Sequence, residues 1–338
     1  MDPLTQGLLG AAASQALLQH RLGRKAWLVG AVGGMLPDAD VFIRSDSDPL
    51  LAIEHHRGFT HALAFIPIGG TVASLPWLLR KKYRADWQPI LGGAVAGYAT
   101  HGLLDACTTY GTQLFWPFSS VRVAWNVISI IDPIFTLILL IGVIASAWMM
   151  RRSPAVVALV LCLAYLGVGA LQRDRALGVQ TRLAEMRQHE PTRQAVFPTL
   201  GNLVVWRSLY ESGDSLFADR IRVPFLAGAS WQAGTFVEKT ELDDVPADLR
   251  QHPRIRNDFE RFAWFSDGWV AAAPDAPDVY GDVRYSLRTD GFDPIWGVRF
   301  HPGREPPTEW VDRTRDREID LLDFWMEIIG QGNYRPVP

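Results

Sequence analysis

Apolar residues run almost unbroken through several stretches of the first 172 positions, then break into short alternating runs. Residues 133–150 and 154–172 are the clearest apolar stretches, with segments such as Pro133-Ile134-Phe135-Thr136-Leu137-Ile138 and Ala155-Val156-Val157-Ala158-Leu159. Each predicts a helix able to cross a hydrocarbon layer of roughly 30 Å at about 1.5 Å per residue. Residues 62–79 and 88–107 have similar length but are rich in glycine, and the second contains His101 and Asp105. Residues 26–36 form a shorter run, and residues 4–18 read as a short span, a re-entrant helix or an interfacial helix. The pattern predicts an α-helical membrane domain over residues 1–172 with about five or six membrane segments.

Beyond residue 172 the period changes. Ser215–Phe225 alternates in part, and Thr235-Phe236-Val237, Phe262-Ala263-Trp264-Phe265, Val279–Arg288 and Ile295–Phe300 are β-favouring runs. Asp267-Gly268 is a turn signal, while residues 173–190 and 314–330 read as helical. This predicts a mostly β or α+β soluble domain over residues 173–338.

Charge orients the first half. Basic residues cluster at Arg21, Arg24 and Lys25, at Arg80, Lys81, Lys82 and Arg84, and at Arg151 and Arg152. Such clusters mark cytoplasmic loops. Placing all three inside puts Asp38, Asp40, His55, His56, His61, His101 and Asp105 on the other side, together with the C-terminal domain. The expected location is therefore a bacterial inner membrane, with these residues facing the periplasm. The net charge of -3 gives no sign of a nucleic-acid partner. The only cysteines, Cys107 and Cys162, lie in apolar segments, so the C-terminal half carries no disulfide framework. Met1-Asp2-Pro3 brings no basic leader region, and the chain reads as lacking a cleaved signal peptide.

Ionisable side chains in such apolar sequence are costly to bury and usually serve a site. Carboxylates with imidazoles are a ligand set for zinc, manganese or iron. His101 and Asp105 stand four apart on one helical face. Asp38 and Asp40 close the segment that precedes them, and His55, His56 and His61 crowd within seven residues beside Glu54 and Arg57. Gly58 supplies the turn that brings His56 and His61 together, and Thr60 reads as a helix N-cap. Arg57 offers a planar fork for phosphate or carboxylate oxygens, or a salt bridge to Glu54 or Asp40. Asp132-Pro133 reads as a helix start, with Asp132 as the cap. Trp116-Pro117-Phe118 and Trp125 read as an interfacial aromatic belt.

Met1-Asp2-Pro3-Leu4-Thr5-Gln6, Pro37-Asp38-Ala39-Asp40, His56-Arg57-Gly58-Phe59-Thr60-His61 and His101-Gly102-Leu103-Leu104-Asp105 occur in that order. They are followed by Thr108-Thr109-Tyr110-Gly111-Thr112-Gln113 and Ile130-Ile131-Asp132-Pro133. In combination these resemble a bacterial family of inner-membrane metal-dependent hydrolases, YdjM-like and sometimes labelled LexA-binding. More distantly that family is similar to zinc-dependent phospholipase C and single-strand nucleases. The resemblance implies metal ligation by His101, Asp105, Asp38 and either His56 or His61. Many members of the family carry histidine where this chain has Gln6, a departure that bears on any N-terminal ligand.

The expected function is a membrane-bound hydrolase with a divalent metal, zinc first, acting on a phosphoester of lipid or periplasmic origin. Asp38, His55, His56, His61, His101 and Asp105 are its candidate ligands. Arg57 is the candidate for stabilising charge, and Asp40 or Glu54 for the general base. Its partners would be the lipid bilayer and an anionic small-molecule or lipid substrate. The competing expectation is a non-catalytic, metal-stabilised membrane scaffold or metal-handling protein.

Overall fold

The computed structural model describes residues 1–316 and 321–337. It divides into two compact units, one of Met1–Ile43 with His55–Ala170, the other of Arg44–Glu54 with Leu171–Pro338. The short stretch 44–54 thus leaves the first unit, joins the second and returns.

The first unit is helical. Its helices are α1 (Pro3–Leu22), α2 (Ala26–Met35), α4 (Ile66–Leu78), α5 (Trp87–Ala106), α6 (Pro133–Met149) and the first half of α7 (Ser153–Met186), with α3 (Leu51–His55) at the crossing between units. Asp2 starts α1 by accepting from the Thr5 N–H, with Pro3 in the first turn. Asp132 starts α6 in the same way, accepting from the N–H groups of Ile134 and Phe135. α1, α2 and α5 pack against one another. The approach is close enough that a Cβ on Gly97 of α5 would run into the Gly30 carbonyl of α2. Phe135, Leu139 and Val143 of α6 bury against Ala11 and Ala12 of α1 and Cys162 of α7.

This packing corrects the expectation of five or six membrane segments. Among the described residues one helix, α7, is long and apolar enough to cross a membrane. Leu51–His61 and Leu63–Leu78 would together make a second, but they meet at a bend of 62°. α6 is shorter than a full span, and α2 has only ten residues, or about 15 Å. An apolar run shows that a helix leaves water, not whether protein or lipid receives it. In α1, α2 and α5 much of that receiving surface is another helix. Ile141, Ile144, Val160 and Leu163 are exposed along α6 and α7, as are Leu17 on α1 and Leu28 on α2.

The second unit carries two antiparallel sheets. The first contains β1 (Arg193–Pro198), β2 (Val205–Ser212), β3 (Ser215–Arg222), β4 (Ser230–Glu238) and, at its edge, β9 (Arg335–Pro336). The other has β5 (Val270–Ala273), β6 (Ala276–Asp282), β7 (Trp296–Phe300) and β8 (Thr308–Asp312) in sequential order. Ala176, Val179 and Leu183 of the distal half of α7 cover Trp206 and Ile221 of the first sheet. Leu209 and Leu216 pack with Trp269 and Ala271 between the sheets. Two further helices, α8 (Ala247–Arg250) and α9 (Pro253–Phe265), precede β5, and α10 (Leu321–Ile329) follows β8. Residues 317–320, within the stretch read as helical over 314–330, lie outside the described residues.

Phe262-Ala263-Trp264-Phe265 is helical, not a strand. Its aromatics favour strands locally. Ile255, Phe259 and Phe262, however, recur at the helical period and bury one face of α9.

Candidate metal centre

Three separate pieces of chain deliver the polar cluster. Asp38 and Asp40 lie on the 3-10 turn Leu36–Phe42 that continues α2. His56 and Arg57 follow α3, and His61 ends the 3-10 turn Phe59–His61. His101 and Asp105 project from the last two turns of α5. A Cβ on Gly102 would strike the His61 carbonyl, so the absence of a side chain there lets the histidine turn lie directly on α5. The sharp reversal after His56 is made by Arg57, whose φ is 62°. Gly58, expected to supply that turn, has φ -87° and instead keeps clear of the His55 carbonyl.

Four ligand atoms converge. His61 Nε2 lies 2.9 Å from His101 Nε2, 3.2 Å from Asp105 Oδ2 and 3.5 Å from Asp38 Oδ1. His101 Nε2 lies 3.3 Å from Asp38 Oδ1 and 3.5 Å from Asp105 Oδ2. Ligands about 2.0 Å from a tetrahedral ion stand about 3.3 Å apart. The hydrogen-bond network sets the imidazole tautomers. His101 Nδ1 donates to the Gly34 carbonyl at 2.5 Å. His61 Nδ1 donates to Thr60 Oγ1 at 3.0 Å, and that hydroxyl donates onward to Asp40 Oδ2 at 2.9 Å. With both Nδ1 atoms protonated, each neutral ring turns its Nε2 lone pair inward. Two such lone pairs and two carboxylate oxygens meeting at one point need a cation or a shared proton between them. Asp105 Oδ2 is fully buried and accepts no hydrogen bond, which fits the same requirement. The residues present therefore fit a divalent metal.

The surroundings hold the carboxylates ionised. Burial opposes charge on Asp38, but where a proton shared by His101 and His61 stands in for the metal, those imidazoles hold its pKa far below the usual carboxylate range. Burial likewise opposes charge on Asp105, and the nearby charges of Arg57 and the Met1 amino group outweigh it. That amino group and the Gln6 amide both reach Asp105 Oδ1, Gln6 at 2.9 Å. Asp40 lies behind the cluster. Its Oδ1 accepts from His56 Nδ1 at 2.8 Å, and its Oδ2 from the Arg57 N–H at 3.0 Å as well as from Thr60. Asp38, Asp40 and His56 form a second group with metal-ligand spacing, sharing Asp38 with the first.

The structure distributes the remaining sequence candidates differently. Arg57 does not bridge to Glu54. Its Nε lies 3.1 Å from Asp105 Oδ2, and its Nη1 donates to Thr108 Oγ1 at 2.7 Å. Glu54 pairs with Arg261, through contacts of 2.7 and 2.8 Å. His55 is half-buried and belongs to neither ligand group. Thr60 caps no helix and serves the Asp40 network instead. Sequence reasoning missed Thr108, Tyr98 and Tyr110. Thr108 receives Arg57, Tyr98 fixes the turn by donating to the Thr60 carbonyl at 2.6 Å, and the Tyr110 ring lies against both His56 and Arg57. The shared motif Thr108–Gln113 was the one available signal for two of them.

Residues 1–176 match the family described as YdjM inner membrane protein. An uncharacterized protein of Bacillus subtilis (strain 168), YfhP, is 26% identical over 228 residues, covering 65% of this chain and 68% of the relative. Neither match supports the more distant likeness to zinc-dependent phospholipase C. No solved structure matches.

Proposed function

The chain belongs to the YdjM inner membrane protein family, and from that premise we propose that it is a membrane-bound, metal-dependent hydrolase acting on an anionic phosphoester. The observation that carries this reading is the tetrad of Asp38, His61, His101 and Asp105, whose inward atoms are spaced as a metal requires. Zinc suits two imidazoles and two carboxylates. A bound divalent ion would supply a Lewis acid and bring the pKa of water toward neutrality.

The chain's own groups have separable tasks. Asp38 is the open side of the tetrad, with its side chain 21% exposed while the other three are essentially buried. Water and substrate would enter there. Asp40, with both oxygens engaged, orients His61 and His56 and is not itself the base. His56 is 24% exposed and held through Nδ1, so its Nε2 is the atom placed to move a proton. Glu54, engaged by Arg261, is not assigned a step in this reading. Arg57, beside Asp105, adds fixed positive charge for a developing oxyanion. Arg151 and Arg152 before α7 support a cytoplasmic start for that helix and an extracytoplasmic second unit.

A second reading, a metal-stabilised scaffold, is favoured by the number of protein ligands, since four already complete a tetrahedron. One experiment separates the two. Elemental analysis of the purified protein should find a divalent metal that is lost from His101→Ala and from Asp105→Ala. A phosphoester and lipid hydrolysis screen should find a turnover that disappears with it. Metal without any turnover would leave the scaffold, and unchanged metal in both variants would remove the tetrad.

A further inference from the structure

α7 carries no charged residue from Ser153 to Gln172, and Arg173, Asp174 and Arg175 follow at once. A membrane helix leaves the hydrocarbon where its charges begin. Packing within the second unit shows which of its ends lies at that level. Gln172 Nε2 donates to the carbonyls of Leu203 and Val223, at 3.0 and 2.7 Å. Arg175 Nη2 donates to the Pro224 carbonyl at 2.9 Å. Further along the same helix Gln180 reaches Ser208, and Arg187 reaches Asp219. β3 therefore runs back along α7. Its Arg222 end stands where α7 leaves the apolar layer, and the turn Gly213-Asp214 stands at the opposite end, about 25 Å away at about 3.3 Å per residue.

Two apolar features gather at the near end. The loop that joins β3 to β4 is Val223-Pro224-Phe225-Leu226-Ala227-Gly228-Ala229, without one charged or hydrogen-bonding side chain. Phe225 is more than half exposed and Leu226 fully so. Both follow directly on the Pro224 carbonyl that Arg175 holds, so they stay within about 8 Å of that anchor at about 3.8 Å per residue. α10 is tied to the same strand end. Arg222 Nε donates to the Ile328 carbonyl at 2.9 Å, and Arg220 Nη1 pairs with Glu327 at 2.6 Å. On α10, Trp325 and Ile329 are four apart on one face, and both are exposed.

Single exposed apolar residues are ordinary on any protein surface. A loop and a helix face that both present them beside the exit of a membrane helix are another matter. Tryptophan and large aliphatic side chains are the residues that settle in the headgroup region. Continuity with α7 says what covers them, because the bilayer that receives its apolar half ends at the same level.

We propose that the loop 223–229 and the Trp325–Ile329 face of α10 seat the second unit on the lipid bilayer, as a peripheral contact in addition to α7. This surface is independent of the metal centre and holds whether the tetrad is catalytic or structural.

Depth-dependent fluorescence quenching on the full-length protein tests this, in nanodiscs of phosphatidylethanolamine with phosphatidylglycerol. The polarity-sensitive probe NBD is attached at Leu226→Cys, at Ile329→Cys or at Asp214→Cys, one site at a time. Phe225→Cys serves as the loop site if Leu226→Cys fails to fold. Wild type, whose Cys107 and Cys162 are buried, sets the labelling background. A nitroxide on the upper acyl chain should quench the loop and α10 probes severalfold more than the Asp214 probe, as insertion to about 5–10 Å demands. A nitroxide near the chain end should quench them less. Phe225→Ser with Leu226→Ser should lower the quenching at Ile329→Cys, because both features share one surface. Quenching at either site no greater than at Asp214 overturns the proposal. Blue-shifted emission without lipid quenching overturns it too, since a protein partner or a second copy then covers the face. Unchanged quenching at Ile329→Cys in the double serine variant would refute the joint seat.

Discussion

Both units bury charge, but they bury it differently. In the β unit ions buried or half-buried, such as Arg284, Arg187 and Arg207, are satisfied by direct partners. Arg284 holds Asp282 through Nε at 2.9 Å and Nη2 at 2.7 Å, and also donates to the Phe265 carbonyl. Arg187 grips Asp219 with two contacts of 2.7 Å. Arg207, with no carboxylate in direct contact, spends its donors on the carbonyls of Val283, Arg288 and Thr289. In the helical unit the acceptors converge on a shared point. Four of them face one another, and one buried carboxylate oxygen accepts no hydrogen bond at all. Closed pairs explain themselves as structure. A convergent, unsatisfied cluster calls for a ligand.

The contrast breaks most visibly at Asp282. Asp282→Ala leaves Arg284 buried without its partner and should cost about 3–5 kcal/mol in chemical denaturation, with metal content unchanged. A double change to apolar residues, Asp282→Leu with Arg284→Met, should cost far less. If the single and double variants are equally unstable, the pair is not a closed structural unit.

In the cluster the largest functional loss should come from Arg57. Once a substrate is in hand, Arg57→Ala should lower turnover roughly 10²–10³-fold. It should not weaken metal binding, because it removes a cation that competes for Asp105 Oδ2. Loss of metal with loss of turnover would instead make Arg57 a structural clamp.

Asp40→Asn should weaken zinc affinity by roughly 10- to 100-fold in a competitive chelator titration, as expected for a group that orients a ligand from behind. Unchanged affinity would show that the Thr60 hydroxyl alone suffices to aim His61.

The smallest effect belongs to a half-buried network. Burial opposes the charge on Asp48, but Arg261 holds its pKa below the usual carboxylate range. Its stabilisation is therefore present above the ordinary carboxylate pKa of about 4 and is lost as pH falls through the depressed folded value. Exposure limits this to a few tenths of a kcal/mol. Asp48→Asn should slightly flatten the fall in melting temperature between pH 7 and pH 3, and a steeper fall would reverse the sign of the pairing.

The sequence by itself marked the side chains that meet in the tetrad. Aspartate and histidine amid apolar residues are too costly to keep idle, and the spacing of His101 and Asp105 already puts both on one helical face. It also determined the cap at Asp132 and the strands β3, β4, β6 and β7, because those signals are local. It did not determine the number of spans, since apolar runs look alike whether lipid or α1, α2 and α5 themselves receive them. It did not separate ligand from orienting group either. Asp38 and Asp40 are two residues apart, yet one faces the tetrad and the other backs it, and only the fold of the turn Leu36–Phe42 against α5 decides which. The partnership of Arg57 with Asp105, and the meeting of Arg57 and Arg122 on Tyr110, are long-range contacts with no local period or cap to announce them. Tertiary packing alone places those charges together.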